Sequence, residues 1–175
     1  VRAFGQAKAA AVLLSFPGLE PVEEGCAEGP LEFPYVPGFL SFREAPLMLE
    51  ALGKLAQQSD LIIVDGQGRA HPRRLGIASH LGLILDKPTI GCAKSRLVGT
   101  YDELAIEEGS TAPLIDKGEV IGCVLRTKRG AKPIFVSVGH KVSLAAAVDL
   151  VARCTVQGRR IPEPTRLAHI IASKE

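Results

Sequence analysis

Leu61-Ile62-Ile63-Val64-Asp65 is the stretch that decides the fold class. Four apolar residues in succession, closed by an acid, suit a strand buried on both faces, as in the centre of an α/β sheet covered by helices. Gly66-Gln67-Gly68 turns the chain directly afterwards, so the Asp65 carboxylate is expected at a strand end with open backbone around it.

Downstream, the pattern predicts a helix from about Arg74 to Leu85, with Gly76, Ala78 and Gly82 permitting close packing. Pro88 to Ala93 reads as another buried strand. Residues 119–126 and 133–138 read as a strand pair joined by the basic turn Lys128-Arg129-Gly130. A helix follows from Ser143, its expected N-cap, to about Arg153, and a last one runs from Glu163 to Ala172 behind Pro162.

Upstream, a helix is expected from Phe39, with Leu40, Leu47, Leu49, Leu52 and Leu55 lining one face and Pro46 as a local blemish. Pro34-Tyr35-Val36-Pro37-Gly38 is stiff and extended. Ala9 to Phe16 predicts a buried strand ended by Pro17-Gly18. Glu20 to Glu32 predicts a poorer strand, interrupted at Gly25, that folds back as a hairpin. Antiparallel strands followed by alternating helices and strands imply one mixed sheet with helices on both faces, in a single α/β domain over residues 1–175.

Composition narrows the function classes. No apolar run reaches the roughly 20 residues that span a bilayer, and the first residues lack a secretory h-region, so a soluble cytoplasmic protein is expected. Cys26, Cys92, Cys123 and Cys154 form no C-x-x-C pair, which argues against zinc knuckles and disulfides and for free thiols. The net charge is +2, so any nucleic-acid binding must use local patches such as Arg73-Arg74, Lys94-Ser95-Arg96, Arg126 to Arg129 or His140-Lys141. Each patch also suits a plain solvated surface.

Asp65 and Glu44 are the candidate metal ligands. Asp65 equally suits a turn or helix cap, and Glu44 alone reads as an exposed helix glutamate. As a pair, two hard oxygen donors favour Mg²⁺, with Mn²⁺ as substitute, over zinc. Lys94, just past a strand end, can reach a phosphate as a point charge or be a surface lysine. His140, after Gly139 at a strand end, suits proton transfer or a satisfied turn. Tyr35, held between prolines, suits either a wedge between bases or a cover over the core.

Together these blocks resemble the endonuclease V family over nearly the whole chain. The resemblance rests on Pro34-Tyr35-Val36-Pro37-Gly38-Phe39-Leu40-Ser41-Phe42-Arg43-Glu44, Val64-Asp65-Gly66-Gln67-Gly68-Arg69-Ala70-His71-Pro72-Arg73-Arg74-Leu75-Gly76, Pro88-Thr89-Ile90-Gly91-Cys92-Ala93-Lys94 and Val138-Gly139-His140-Lys141-Val142. It implies an RNase H-like fold and a Mg²⁺-dependent endonuclease. The implied substrate is single-stranded or damaged DNA, or RNA, containing inosine or deoxyinosine. The family cuts the second phosphodiester bond 3′ to that base and leaves the base in place. Implied roles follow for particular positions: Glu44 and Asp65 hold the metal, Lys94 contacts the phosphate, and His140 sits beside the metal. Tyr35 with Pro34 and Pro37 forms a wedge. Gly38, Leu40, Gly68, His71, Ile77 and Gly91 contact the extruded base. A monomer is expected.

The chain departs from the family pattern in one respect. The family carries a first-strand aspartate in a pattern like Asp-Val-Ser-Phe, and here no acid precedes Glu20. The N-terminal strand is therefore expected to be incomplete in this chain, or its acid to lie upstream. Loss of such a group implies a rate lower by two to three orders of magnitude, about 3–4 kcal/mol. A catalytically weak inosine-binding paralogue is the second implication.

Overall fold

The computed structural model describes residues 5–31, 33, 34, 36 and 39–174, with residue 40 described by its backbone alone. In chain order the elements are β1 (Gln6–Leu14), β2 (Pro21–Pro30), α1 (Leu40–Gly53), β3 (Ile62–Val64), α2 (Ile77–Leu85), β4 (Thr89–Ala93), β5 (Thr111–Asp116), β6 (Glu119–Leu125), β7 (Ile134–His140), α3 (Leu144–Arg153) and α4 (Glu163–Ala172).

β3 to β7 form a five-stranded sheet in the order β3-β4-β7-β6-β5. β3 and β4 are parallel, and the other pairs are antiparallel. Side chains alternate between its faces, as strand geometry requires. Val64 and the half-buried Ile62 pack with Ile77, Ala78 and Leu81 of α2 and with Ala45 of α1. Ile90, Cys92, Ile134 and Val136 pack on the other face with Ala147 and Val151 of α3. Helices thus cover both faces, as expected, and the mixed α/β class holds.

The hairpin is where expected: β1 pairs antiparallel with β2. Two sequence expectations change here. The predicted interruption at Gly25 is absent, and β2 runs through it. A side chain there would put Cβ 2.2 Å from the Ala51 carbonyl oxygen, so the glycine exists to let α1 lie on the hairpin. The single mixed sheet is also corrected, because β1-β2 forms a sheet of its own. As a result β3, read from sequence as central, lies at the edge of the five-stranded sheet.

Two further boundaries differ. α2 starts at Ile77 rather than near Arg74, because Arg74 has φ +57° and turns the chain away from helix. Its guanidinium bonds Asp116 and Glu119 on the β5-β6 hairpin, anchoring that turn. β5 escaped the sequence reading because Pro113 interrupts it, which an edge strand tolerates. The N-cap of α3 is as expected, with Ser143 Oγ accepting from Ala146 N at 3.2 Å. All four cysteines are free, three of them buried and Cys26 half-buried. Among the described residues no helix is long and apolar enough to cross a membrane.

Candidate active site

Parallel pairing of β3 and β4 aligns Val64 with Gly91, so both chains leave the sheet at the same end. Asp65 follows β3 and Lys94 follows β4. Lys94 Nζ lies 2.6 Å from Asp65 Oδ2, with both side chains 37% exposed. In a parallel α/β sheet this end, outside the strands' carboxyl termini, is where ligands gather.

Glu44 reaches the same place from the first turns of α1. It shares with Asp65 a depression of about 270 Å³, whose wall also includes Lys8 and His169. Burial pushes the Glu44 carboxyl above its usual range. Arg43 opposes that shift, and the charge on Asp65 adds to it. Two carboxylates of like charge therefore face one small space. A hard divalent cation would relieve their repulsion, and one or two carboxylates are the protein share that Mg²⁺ normally takes. Among the described residues no group of three or more His, Cys, Asp or Glu is placed to hold a metal. The Glu44 and Asp65 carboxylates are hard oxygen donors facing this depression, and their chemistry would suit a largely hydrated divalent cation.

Gln67 was quoted from sequence only as part of the turn, and the structure gives it a task. Its Nε2 donates to the Ser95 carbonyl at 3.0 Å, tying the loop of Asp65 to the loop of Lys94. Its Oε1 is buried with no hydrogen-bond partner among the described residues. Nothing in a Gly-Gln-Gly sequence separates such a clamp from a solvated turn. Arg160 supports the same corner by donating to the Lys94 carbonyl at 2.7 Å.

The structure does not bring His140 into this group. Its partner across the sheet is Thr89, at the opposite end of β4 from Lys94. There Nε2 of His140 sits 3.4 Å from Oδ1 of Asp86, which also pairs with Lys141 at the C-terminus of α2. β7 runs antiparallel to β4, so its last residue lies where β4 begins.

Gly68, Gly91 and Ile77 lie together behind Asp65, all buried. Gly68 N donates to Ser137 Oγ at 2.9 Å, and a Cβ there would lie 2.2 Å from the Val138 carbonyl oxygen. A Cβ on Gly91 would lie 2.3 Å from Gly68 N. These glycines let one backbone rest on another. His71 is buried, with Nδ1 accepting from Arg73 N at 3.2 Å. Burial, then the Arg73 charge, lowers its pKa, so the neutral ring serves as a turn brace. Arg73 stacks its guanidinium 3.8 Å from the Phe39 ring centroid beside the start of α1. Pro34 is exposed; Tyr35, Pro37, Gly38 and the Leu40 side chain lie outside the described residues. Of the basic patches, Arg74 and Arg126 are spent on internal bonds: Arg126 donates to the carbonyls of Ala105, Leu104 and Ala131.

The chain is 57% identical to endonuclease V of Nostoc punctiforme over 166 residues, spanning 95% of this chain and 75% of that protein. It superposes on the crystal structure of endonuclease V from Bacillus subtilis with a TM-score of 0.90 and 36% identity, over 94% of this chain and 71% of that one. It also superposes on Ciona intestinalis endonuclease V in complex with a 24mer DNA containing an inosine followed by a ribo-adenosine, with a TM-score of 0.81 and 31% identity over 95% of this chain and 77% of that one. The endonuclease V family profile matches residues 2–170, and the chain belongs to that family.

Proposed function

We propose that this chain is a divalent-metal-dependent endonuclease acting on inosine- or deoxyinosine-containing nucleic acid, hydrolysing the second phosphodiester bond 3′ to that base. The observation that carries the metal reading is the convergence of Glu44 and Asp65 on one depression, with Lys94 paired to Asp65. The inosine-containing DNA bound by the Ciona relative supports the substrate class.

Glu44 and Asp65 would hold Mg²⁺, or Mn²⁺ in its place. When bound, the cation supplies charge neutralisation at the scissile phosphate and acidifies a water. Asp65 orients the Lys94 ammonium toward the sheet end, where a phosphate oxygen entering beside Asp65 meets it as a point charge. Gln67 and Arg160 fix the two loops, so that little reorganisation is needed when substrate binds. Pro34, Tyr35 and Pro37 are the proposed wedge positions. Gly38, Leu40, Gly68, His71, Ile77 and Gly91 are the proposed base-contacting positions. Backbone packing at Gly68 and Gly91 supports a rigid floor there.

A second reading is a weak or inactive inosine binder. It is favoured by one observation, the two-carboxylate donor set among the described residues. Incubating the chain with Mn²⁺ and a single-stranded deoxyinosine oligonucleotide tests both. Nicking at deoxyinosine and not at a guanine control, lost in Asp65→Asn, supports the nuclease. Binding without nicking supports the second reading. Equal cutting of both oligonucleotides overturns the substrate assignment.

A further inference from the structure

Residues 69–75 leave the floor of the acidic site at Gly68 and return to it at Gly76, where Gly76 N donates to the Gly68 carbonyl at 2.9 Å. Between those points the chain crosses the sheet. Arg69 N donates to the Val138 carbonyl of β7 at 2.7 Å, and buried Ala70 belongs to the core cluster of Leu114 and Ile121 on β5 and β6. The excursion therefore links the floor behind Asp65 to the β5-β6 hairpin at the far edge of the sheet.

That hairpin ends in a charge pattern that does not stabilise it. Lys117 and Gly118, both at positive φ, make a two-residue turn, so Asp116 and Glu119 stand directly opposite each other. Like charges at facing positions repel. The relief comes from outside the hairpin. Arg74 donates through Nε to Glu119 Oε2 at 2.7 Å and through Nη2 to Asp116 Oδ2 at 2.8 Å, and its Nη1 reaches back to the His71 carbonyl at 3.1 Å. Arg69 adds a second partner for Glu119. Bonds from these two arginines hold the Glu119 carboxyl below its usual range. Arg74 itself sits at φ +57°, a conformation that persists in a bulky residue only where its surroundings fix it.

Arg73 reaches a different element. Its guanidinium lies 3.8 Å from the centroid of the Phe39 ring, at the N-cap of α1, and its backbone N–H donates to His71 Nδ1 at 3.2 Å. Glu44 follows five residues after Phe39 on the same helix. Neighbouring arginines thus tie one turn both to the hairpin and to the start of α1.

We propose that Asp116 and Glu119 are positioning residues for the acidic site: by fixing Arg74 they seat Arg73 on Phe39, and so set where α1 brings Glu44 beside Asp65. Neither hairpin carboxylate is among the residues that line the depression of Glu44 and Asp65, so they act through other side chains. Each link is a hydrogen bond, an ion pair or a ring contact, and the rigid guanidinium fork of Arg74 gives its turn one seat rather than many. Removing both hairpin charges frees the turn and leaves every residue of the depression in place. The seating claim stands without the nuclease reading; its consequence for cleavage rests on that reading.

NMR reads the seating without turnover. The Arg73 Nε–H, held over the Phe39 ring, is expected to resonate upfield of the other arginines, and Phe39→Leu should abolish that shift. In Asp116→Asn/Glu119→Gln the shift should collapse. The amide of Phe42, which donates to the Phe39 carbonyl, should then exchange about tenfold faster. Glu119→Gln alone, the milder change, should show both effects at smaller amplitude. Arg69→Gln removes the exposed partner of Glu119 and leaves Arg74 in place, so it should change neither. A retained Arg73 shift in the double variant overturns the proposal, as does an Arg73 signal that Phe39→Leu leaves unmoved. Equal loss in Arg69→Gln also overturns it, because hairpin charge alone would then be the cause. With Mn²⁺ and a single-stranded deoxyinosine oligonucleotide, the double variant should lose about tenfold in kcat with KM nearly unchanged. Normal kcat beside a lost Arg73 shift overturns the link to Glu44. Absence of cleavage in wild type as well would sink the nuclease reading instead, and the Arg73 and Phe42 signals would still decide the seating.

Discussion

The Nζ of Lys94 lies 2.6 Å from Oδ2 of Asp65, across the ends of two neighbouring parallel strands. The pair neutralises one of the two carboxylates in the acidic depression while leaving both side chains accessible. Glu44, on a separate helix, is left as the carboxylate that burial disfavours.

That relationship gives the first expectation. Asp65→Asn should abolish cleavage while leaving oligonucleotide affinity within a few-fold of wild type. Lys94→Ala should lower kcat by about 10²–10³, the usual loss for one preorganised electrostatic group. Single-turnover cleavage with parallel binding titrations measures both. Retained cleavage in Asp65→Asn would remove that residue from the metal site.

Glu44 carries a stability consequence of opposite sign. Its folded-state pKa is raised, so the stability tied to its neutral form is complete below the unfolded value, about 4.3, and is lost as pH rises through the higher folded value. With chelator present, Glu44→Gln should therefore melt above wild type at neutral pH, and the gap should close as pH falls toward about 4. Thermal melts across that range check it. A Gln variant less stable than wild type at neutral pH contradicts it.

The glycines behind the site give a packing prediction. Gly68→Ala and Gly91→Ala should each cost about 3 kcal/mol or more, because the new Cβ meets backbone rather than a movable side chain. Gly53→Ala, where a Cβ meets nothing within 4 Å, should be neutral or slightly stabilising. Urea midpoints distinguish the cases. Neutral behaviour at Gly68 and Gly91 would mean that these positions border open space.

Burial pushes the Cys92 thiol up to about 12, and the Asp65 charge adds to the shift. Cys92 should stay unmodified by iodoacetamide in the native protein at mildly alkaline pH, while the half-buried Cys26 reacts. All four should react after unfolding. Peptide mass spectrometry reads this directly, and early labelling of Cys92 would contradict its burial.

What the sequence showed plainly was local chemistry. Ser143 caps α3, Pro17-Gly18 ends β1, and Asp65 closes an apolar strand, because each depends on neighbouring residues alone. What it hid depended on partners distant in the chain. Leu61 to Asp65 has the composition of a central strand, yet its place at an edge is set by which strands pair with it. His140 stands in a conspicuous Gly-His-Lys motif. Only the antiparallel direction of β7 reveals that it lies at the far end from Lys94. The task of Gln67 depends on a carbonyl 28 residues away.

The central claim is that Glu44 and Asp65 jointly hold one divalent cation against the nucleic-acid backbone. Titrating Mn²⁺ into the protein while following the free-ion electron paramagnetic resonance signal tests it without requiring turnover. Saturable loss of that signal with wild type, absent from both Asp65→Asn and Glu44→Gln, is the expected result. Binding that both variants retain unchanged would contradict the account.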